Sequence, residues 1–528
     1  MATIEQIKGS EKVKDSYQKI YNSDNAINTE LETHLASITA HTAEEIVFSP
    51  ITNVTSTDVQ GAVTQVNTRV SNIIASSGTS DTEVVDARNS TVKGETFTVL
   101  DGRLEATEQD FETLNTDVAE LQQLTQEAYG LRWNQSTDTY TRLGSAEGKT
   151  YTKTAGVVTS DLDSIYPWSE RKRCNLADDL TVNAYHGDAG YIEDGSNGQV
   201  MVENSQFWVK TEVYFNESGQ KIFEWFISEF PRSGYKLHPA FINTNQSQIY
   251  TKVYTSAFEG TLYDDSASAY VGDGVAFDYT NDIMASVANL QPISGNTAHL
   301  DIGEARQLAE NRGAGWTQGD YLSWSMTQLL YLIEFADFKS QNVLSFGILN
   351  LDSGTGNHSQ NTGHTSPLGN ASGEVALTSL ENGATGATET YPMSYRGEEN
   401  FYGNIWKFVD GILIEDDGVY IQDDITDFND THTNYNHVEF TTSLANGYIS
   451  DLQTNEGLEN SFFPLSSGGS SSTYVGDYYY AHDIGEVNIL RAGGSWFYSS
   501  FGGAFAAFCN FSVASSSRSL GARLEAKK

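Results

Sequence analysis

Heptad spacing over the first 130 residues constrains this chain more than any other feature. Tyr17, Ile20, Ile27 and Leu31 fall on one seam, interrupted by Asp24 and His34. Val59, Val63, Val66, Val70 and Ile73 follow in alternating steps of four and three. Leu100, Leu104, Thr107, Phe111, Leu114, Val118 and Leu121 repeat that pattern without a break. Polar residues fill the positions between, as a coiled coil requires. A lone helix of this length is marginal in water, and so narrow an apolar stripe does not suit a globular core. β-Branched residues at both seam positions of the middle segment disfavour a parallel dimer. The expected state is a parallel homotrimer with Val63, Val66, Val70, Ile73, Leu104, Phe111, Leu114, Val118 and Leu121 in its seam. An ordinary helical bundle within one chain is the alternative. Polar stretches at 49–56 and 76–81 break the helices. His34 and His41 could ring a metal on a three-fold axis, but no second ligand supports one.

After Tyr129-Gly-Leu-Arg-Trp133 the heptads stop and strand patterning begins. Residues 139–143 and 148–153 read as strands of a neck, and 199–202, 207–214 and 220–227 as strands of a body. Gly, Asn and Asp clusters separate them, as turns should. The 28 Tyr and 25 Phe against 8 Pro also favour β structure with aromatic faces. Two helices interrupt. Asp301 caps one that ends at Gly313, and the second runs from Asp320 to about Asn342, burying Leu329, Leu330, Ile333 and Phe335. Strands resume at 343–346, 405–409 and 411–414, and a loop over 352–390, rich in Gly, Ser, Thr and Asn, reads as exposed. The fold class is therefore α+β, mostly β in the body. Its parts are an attachment helix at 1–38, a segmented coiled-coil stalk at 39–128, a β neck at 129–165 and a β-rich body with a binding head at 166–528.

A net charge of −40, from 70 acidic and 30 basic residues, argues against nucleic acid as a partner. The N-terminus shows no basic stretch followed by an apolar run, and no segment approaches the ~20 apolar residues of a membrane helix. Synthesis in the cytosol without membrane insertion is the expectation. Cys174 and Cys509 make no zinc or redox spacing, and two buried thiols are expected rather than a disulfide.

Motifs of catalysis are missing. There is no Gly-x-Ser-x-Gly elbow and no His-Glu-x-x-His helix. Glu415-Asp-Asp417, Asp423, Asp424, Asp427 and Asp430 could form an acid pair or a calcium site, but the spacing lacks the Gly and terminal Glu of an EF-hand. His358, His364, His432 and His437 sit in polar loops. The expectation is no enzyme, no cofactor and no metal.

The last forty residues alternate aromatic with small polar side chains, a composition that stacks and hydrogen-bonds at little entropic cost. Tyr479 belongs to a second aromatic patch, Tyr478-Tyr-Tyr480. Several segments resemble known families. Thr57-Asp-Val-Gln-Gly-Ala62 after Thr42-Ala-Glu-Glu-Ile-Val-Phe48 looks like a module common in fibre proteins of tailed bacteriophages. Glu83-Val-Val-Asp-Ala-Arg88 with Leu100-Asp-Gly-Arg-Leu104 resembles another stalk segment, as does Ile7-Lys-Gly-Ser-Glu-Lys-Val-Lys-Asp-Ser16. Two helices amid short strands, closing on Arg491-Ala-Gly-Gly-Ser-Trp496 and Gly521-Ala-Arg523, resemble the C-type lectin fold. Within it, the closer likeness is to the branch of formylglycine-generating enzymes and phage tropism determinants. Arg396-Gly-Glu-Glu-Asn-Phe-Tyr-Gly-Asn-Ile-Trp406 and Arg173-Cys-Asn-Leu-Ala-Asp-Asp179 look like segments of phage fibre and minor structural proteins.

The resemblance implies a lectin-like head in which residues after the Gly-Gly-x-Trp strand contact a receptor. Those residues are Phe497, Tyr498, Ser499, Ser500, Phe501, Phe505, Phe508, Asn510 and Ser512; for Phe505, Phe508 and Phe511 a place in the core is the other reading. The enzyme branch uses a pair of nearby cysteines, which this chain lacks. The lectin sugar motif Glu-Pro-Asn or Gln-Pro-Asp is also missing, so calcium-mediated sugar binding is not carried over. The expected protein is a virion fibre, bound to other virion proteins through its N-terminus and to a bacterial surface glycan or protein through its head. A head fibre or a capsid or neck decoration protein without a receptor role is the alternative.

Overall fold

The computed structural model describes residues 128–528 except 352–353, 387–390, 442 and 444, together with 22, 25–26, 29, 53–75, 88–90, 95–97 and 100–125. The chain divides into two compact units, Met1–Ala119 and Glu120–Lys528. The seam of Tyr17, Ile20, Ile27 and Leu31 lies outside the described residues, as do His34, His41 and the 76–81 break.

The other two heptad segments are helical, α1 (Val59–Ala75) and α2 (Leu100–Thr125). Asp58 starts α1, its carboxylate accepting from the Gly61 N–H at 2.6 Å and so satisfying one of the orphan donors of the first turn. The incoming chain lies along the helix. Arg69 donates to the Asn53 carbonyl at 2.5 Å and the Thr55 N–H to the Gln65 side chain at 2.9 Å, and Val54 and Ala62 are buried beneath. The seam residues themselves are left in solvent. Val63, Val66, Val70, Ile73, Leu104, Phe111 and Leu114 are exposed, from 46% at Val66 to 63% at Phe111. The side chains of Val118 and Leu121 lie outside the described residues.

The second unit is mostly strand. β1 (Ala128–Asn134) and β2 (Thr139–Gly144) form a hairpin. β3 (Lys172–Leu176), β4 (Gln199–Ser205), β5 (Trp208–Phe215), β6 (Lys221–Ser228) and β7 (Lys252–Ser256) follow. Then come α3 (Ile302–Glu310), β8 (Trp316–Gln318) and α4 (Tyr321–Phe335). The C-terminal part adds β9 (Trp406–Glu415), β10 (Gly418–Ile421), β11 (Gly447–Leu452), β12 (Tyr478–Tyr480), β13 (Asn488–Gly493), β14 (Gly503–Ser512) and β15 (Leu524–Lys527).

One sheet runs Lys236–Leu237, β5, β6, β1, β2. Residues 129–165, expected as a separate neck, are thus part of the body. β1 pairs along its length with β6, setting Trp133 opposite Phe223 and Leu131 opposite Trp225. Arg142 of β2 donates to the carbonyls of Ile333 and Glu334 at 2.6 and 2.5 Å, closing the C-terminal end of α4 where a cation is favoured. A second, antiparallel sheet runs β8, β15, β7, β4, β3, Val182–Tyr185, so the chain's final strand lies inside a sheet. The third runs Asn436–Glu439, β10, β9, β13, β14, β12, β11, Pro464–Ser467. β9 kinks at Asp410-Gly411, where Arg306 of α3 grips the Asp410 carboxylate at 2.7 Å.

Both helix starts follow the local signals. Asp301 forms a capping box with Glu304, and Asp320 accepts from the Ser323 N–H at 2.8 Å. The end of α4 does not follow them. Helix was expected to about Asn342, but Ala336 takes a left-handed conformation and stops it. The turn drives Phe338 between Trp133, Trp225, Phe462 and Phe505, burial worth about 2–3 kcal/mol. A short helix Ser340–Val343 then occupies the start of the strand expected at 343–346. Every residue of α4 is buried; Ser323 donates to Glu525 and Gln328 to the Ala504 carbonyl, while the Tyr331 hydroxyl is buried without a hydrogen-bond partner.

The 352–390 loop also departs from expectation. Asn357, Ser359, Gln360, Thr362 and Thr365 are buried. Thr362 donates to the Val287 carbonyl at 2.7 Å, and the buried Glu399 carboxylate accepts from the Gly363 N–H at 2.7 Å and from Thr365. Small polar residues that read as solvated from sequence here satisfy interior groups instead.

Candidate functional site

Alternation along β12 and β14 sorts the expected contact residues between two faces of the third sheet. Tyr479 points into the core beneath the sheet with its ring fully buried, and its hydroxyl donates to the Ser443 carbonyl at 3.0 Å. Phe505 enters the same core, 4.8 Å from Phe338 and 5.4 Å from Phe462 by ring centroids. Phe508 lies on the opposite face, yet Trp406, Tyr480 and Tyr498 cover it at 4.3, 4.4 and 5.3 Å. Tyr479 is thereby corrected, and Phe505 and Phe508 take the core reading: β12 and β14 are both interior strands, and a strand with neighbours on both sides and layers on both faces buries its largest rings. Trp496 is buried as well.

Above Phe508 lies a half-buried aromatic layer. Tyr478 and Phe501 stack at 4.3 Å, and Tyr448 meets both edge-on at 5.2 and 5.7 Å. The Tyr448 and Ser500 hydroxyls are 2.9 Å apart. A single 3-10 turn, Ser499–Phe501, swings Phe501 over Tyr478. It leaves Ser499 exposed and Ser500 half-buried. Tyr498 stands edge-on to Trp406 at 4.9 Å. Two glycines make the preceding bend possible: Gly493 and Gly494 sit at φ 86 and 93. A Cβ on Gly494 would meet Gly502 Cα and Leu349 Cδ2 at 2.9 Å. Asn510 and Ser512, also half-buried, close the row, Ser512 opposite Asn488 in the ladder.

Sequence reading missed three members. Tyr448 comes from β11 through its pairing with β12, and Trp406 from β9 through β13. Neither carries a local signal. Arg491 was read only as part of a structural motif. The residue is 3% exposed, with its guanidinium carbon 3.4 Å from the Phe511 ring centroid and 5.3 Å from that of Trp406. Nη2 donates to the Asn510 side-chain oxygen at 2.6 Å, and Nε has no hydrogen-bond partner. Burial pulls its pKa down to about 10.

The acidic turn after β9 is engaged by histidines. Glu415, Asp416 and Asp417 face His432, His482 and His437 at 3.0, 2.9 and 3.5 Å, and the Tyr420 ring is stacked between His432 and His437 at 4.1 and 4.3 Å. Asp423 and Asp424 bind Thr244 and Gln246, and Asp430 binds Arg306. Among the described residues, one trio brings its ligand atoms within 4.8 Å of one another, His299, Asp301 and Glu304. Two of these already make the α3 capping box, and His299 Nδ1 lies 2.7 Å from Glu304. Cys174 and Cys509 are free and buried, and burial pushes both thiols up, Cys509 to about 12, which keeps them protonated at neutral pH. No helix among the described residues is long and apolar enough to cross a membrane.

No protein-family model and no curated protein matches the chain. Among solved structures it is similar to chains titled Major Tropism Determinant P3c, U1 and I1 variants, at 11, 11 and 14% identity. Each overlap covers 71% of this chain and 73% of the other, with a TM-score of 0.24. So low a score carries no argument, and the architecture rests on the pairings described above.

Proposed function

We propose that the chain is a bacteriophage fibre protein that binds the bacterial surface through the aromatic layer of its C-terminal unit, in a lectin-like head. The observation that carries this reading is the row of half-buried rings left open over Phe508 by β11, β12 and the 499–501 turn. Tyr448, Tyr478, Tyr498 and Phe501 offer ring faces and edges, and Ser499, Ser500 and Ser512 offer hydroxyls. Rigid rings contribute contact area at low entropic cost, and small polar groups adapt to a partner's donors and acceptors. No catalytic step is part of this reading, and the protein takes no cofactor.

The exposed seam of α1 and α2 supports assembly into a homotrimer. Apolar side chains at heptad spacing, with polar residues between, are stabilised when copies bury them against one another. Three binding units per particle raise the effective concentration at a surface, so weak single contacts suffice. In the virion the N-terminal part joins other virion proteins, after synthesis in the host cytoplasm.

The test is competition for adsorption to susceptible cells. Purified chain is expected to block phage adsorption, and Tyr498→Asp with Phe501→Asp to abolish the block while melting temperature and oligomeric state are kept. Wild-type competition by those folded variants would overturn the reading.

A further inference from the structure

Arg491 is a cation without a counter-ion. Buried arginines elsewhere in this unit face carboxylates: Arg171 meets Glu398 at 2.8 Å, Arg306 meets Asp410 at 2.7 Å and Arg396 meets Glu334 at 2.6 Å. Among the described residues no carboxylate pairs with Arg491. Its acceptor is a neutral amide, Asn510, which is itself half-buried. Ring contacts with Phe511 and Trp406 and one neutral acceptor hold this buried charge, but it lacks the carboxylate that the other three arginines face. Local sequence adds a second observation. In a chain with 70 acidic residues, none occurs between Glu486 and Glu525, where Arg491, Arg518 and Arg523 all lie. Arg518 stacks over Trp496 and Phe497 at 5.7 and 5.6 Å, at the far end of the same aromatic row.

We propose that the aromatic layer binds an acidic saccharide, whose carboxylate or phosphate takes the place of the Asn510 oxygen at Arg491 while sugar rings lie on Tyr498 and its neighbours. The inference rests on the receptor-binding reading and names the class of receptor. The guanidinium lies one side chain below the surface, so the anion enters where Asn510 now sits, at the end of β14. Low dielectric around Trp406, Phe508 and Phe511 strengthens a charge-assisted contact there.

Calorimetric titration of the purified full chain with uronate-bearing, phosphate-bearing and neutral oligosaccharides of equal length tests this. At least one acidic set is expected to bind about tenfold or more tighter than the neutral set, with an advantage that shrinks as salt rises. The carboxylate and phosphate arms identify which acid is read. Asn510→Asp is the diagnostic variant. It supplies an internal counter-ion, so it should raise the melting temperature and erase the preference for acid. Ala514→Asp, which adds the same charge at an exposed position nearby, should keep most of that preference. Equal affinity for acidic and neutral sugars overturns the inference, as does a preference unchanged in Asn510→Asp or lost equally in both variants. Adsorption is read separately. A chain that still blocks adsorption but prefers no acid refutes the acidic ligand and leaves the receptor reading standing. A chain that prefers acid but never blocks adsorption refutes the receptor reading.

Discussion

Lys407 Nζ faces the Glu259 carboxylate at 2.9 Å, with both side chains shut off from solvent. Asn400 and Asn404 donate to the other oxygen of Glu259 at 3.1 and 2.5 Å, and Lys407 also reaches the Gly403 carbonyl. Burial lowers the Lys407 pKa to about 8 despite its partner. Lys407→Met is expected to cost ~3–5 kcal/mol, because it strands a buried carboxylate. The double variant Lys407→Met/Glu259→Leu should recover much of that loss. Denaturant melts of the two variants check the order, and equal losses would show that the pair contributes through volume and not charge.

His238 predicts an acid limb. Its Nδ1 accepts from the Ala240 N–H at 3.2 Å, so the proton sits on Nε2, which is buried without a partner. Burial lowers its pKa to about 3. The unfolded chain, with a histidine near 6.5, therefore binds more protons than the folded one between those values. Stability from this group is complete above pH ~6.5 and falls as pH drops towards 3, by up to ~1.4 kcal/mol per pH unit. His238→Asn, which keeps an acceptor for Ala240, should flatten the slope in melts between pH 4 and 7.

β15 makes the C-terminus a structural element. It pairs with β7 on one side and β8 on the other, and Lys527 forms a fully buried ion pair with Asp320 at the start of α4. Deleting 524–528 is expected to abolish cooperative unfolding of the C-terminal unit, whereas most domains tolerate loss of a frayed end. Circular dichroism melts and limited proteolysis read this out. Deletions from residue 490 onward remove β14 and β15 together, so they report on folding and not on binding.

Exposed seam residues predict association. Val66→Asp with Phe111→Asp should shift sedimentation from trimer to monomer, leaving the near-ultraviolet spectrum of the C-terminal unit unchanged. Trimers that survive both changes would remove α1 and α2 from the interface.

Gly494→Ala meets strain at φ 93 and contact at 2.9 Å from Gly502 and Leu349. A loss of roughly 1–3 kcal/mol is expected, and it should come with weaker adsorption because the bend carries Tyr498 and Phe501.

Much of the secondary structure was legible because its signals are local. Strands at 199–202, 207–214 and 220–227 between turn-forming clusters, the capping residues Asp301 and Asp320, and the valine seam of α1 depend on neighbours a few positions away. Tyr498, Ser499, Ser500 and Phe501, which the family resemblance singled out, stand at the surface or half-buried.

Sequence alone determined several of the strands, where both body helices begin, and that the C-terminal tract is rich in rings and poor in acid. Only the tertiary structure decided which rings face solvent. Phe505 and Phe501 are chemically identical and four positions apart, but one is inserted between α4 and the sheet and the other lies on a surface turn. Ala336 ended a helix whose own sequence would have continued it, because Phe338 had a core to fill. Arg491 was given a neutral partner by Asn510, and Thr362 and Thr365 buried ones by Val287 and Glu399, all from distant parts of the chain. Local preferences set backbone conformation, whereas burial and charge pairing depend on which distant segment arrives beside a residue, and no short stretch of sequence encodes that.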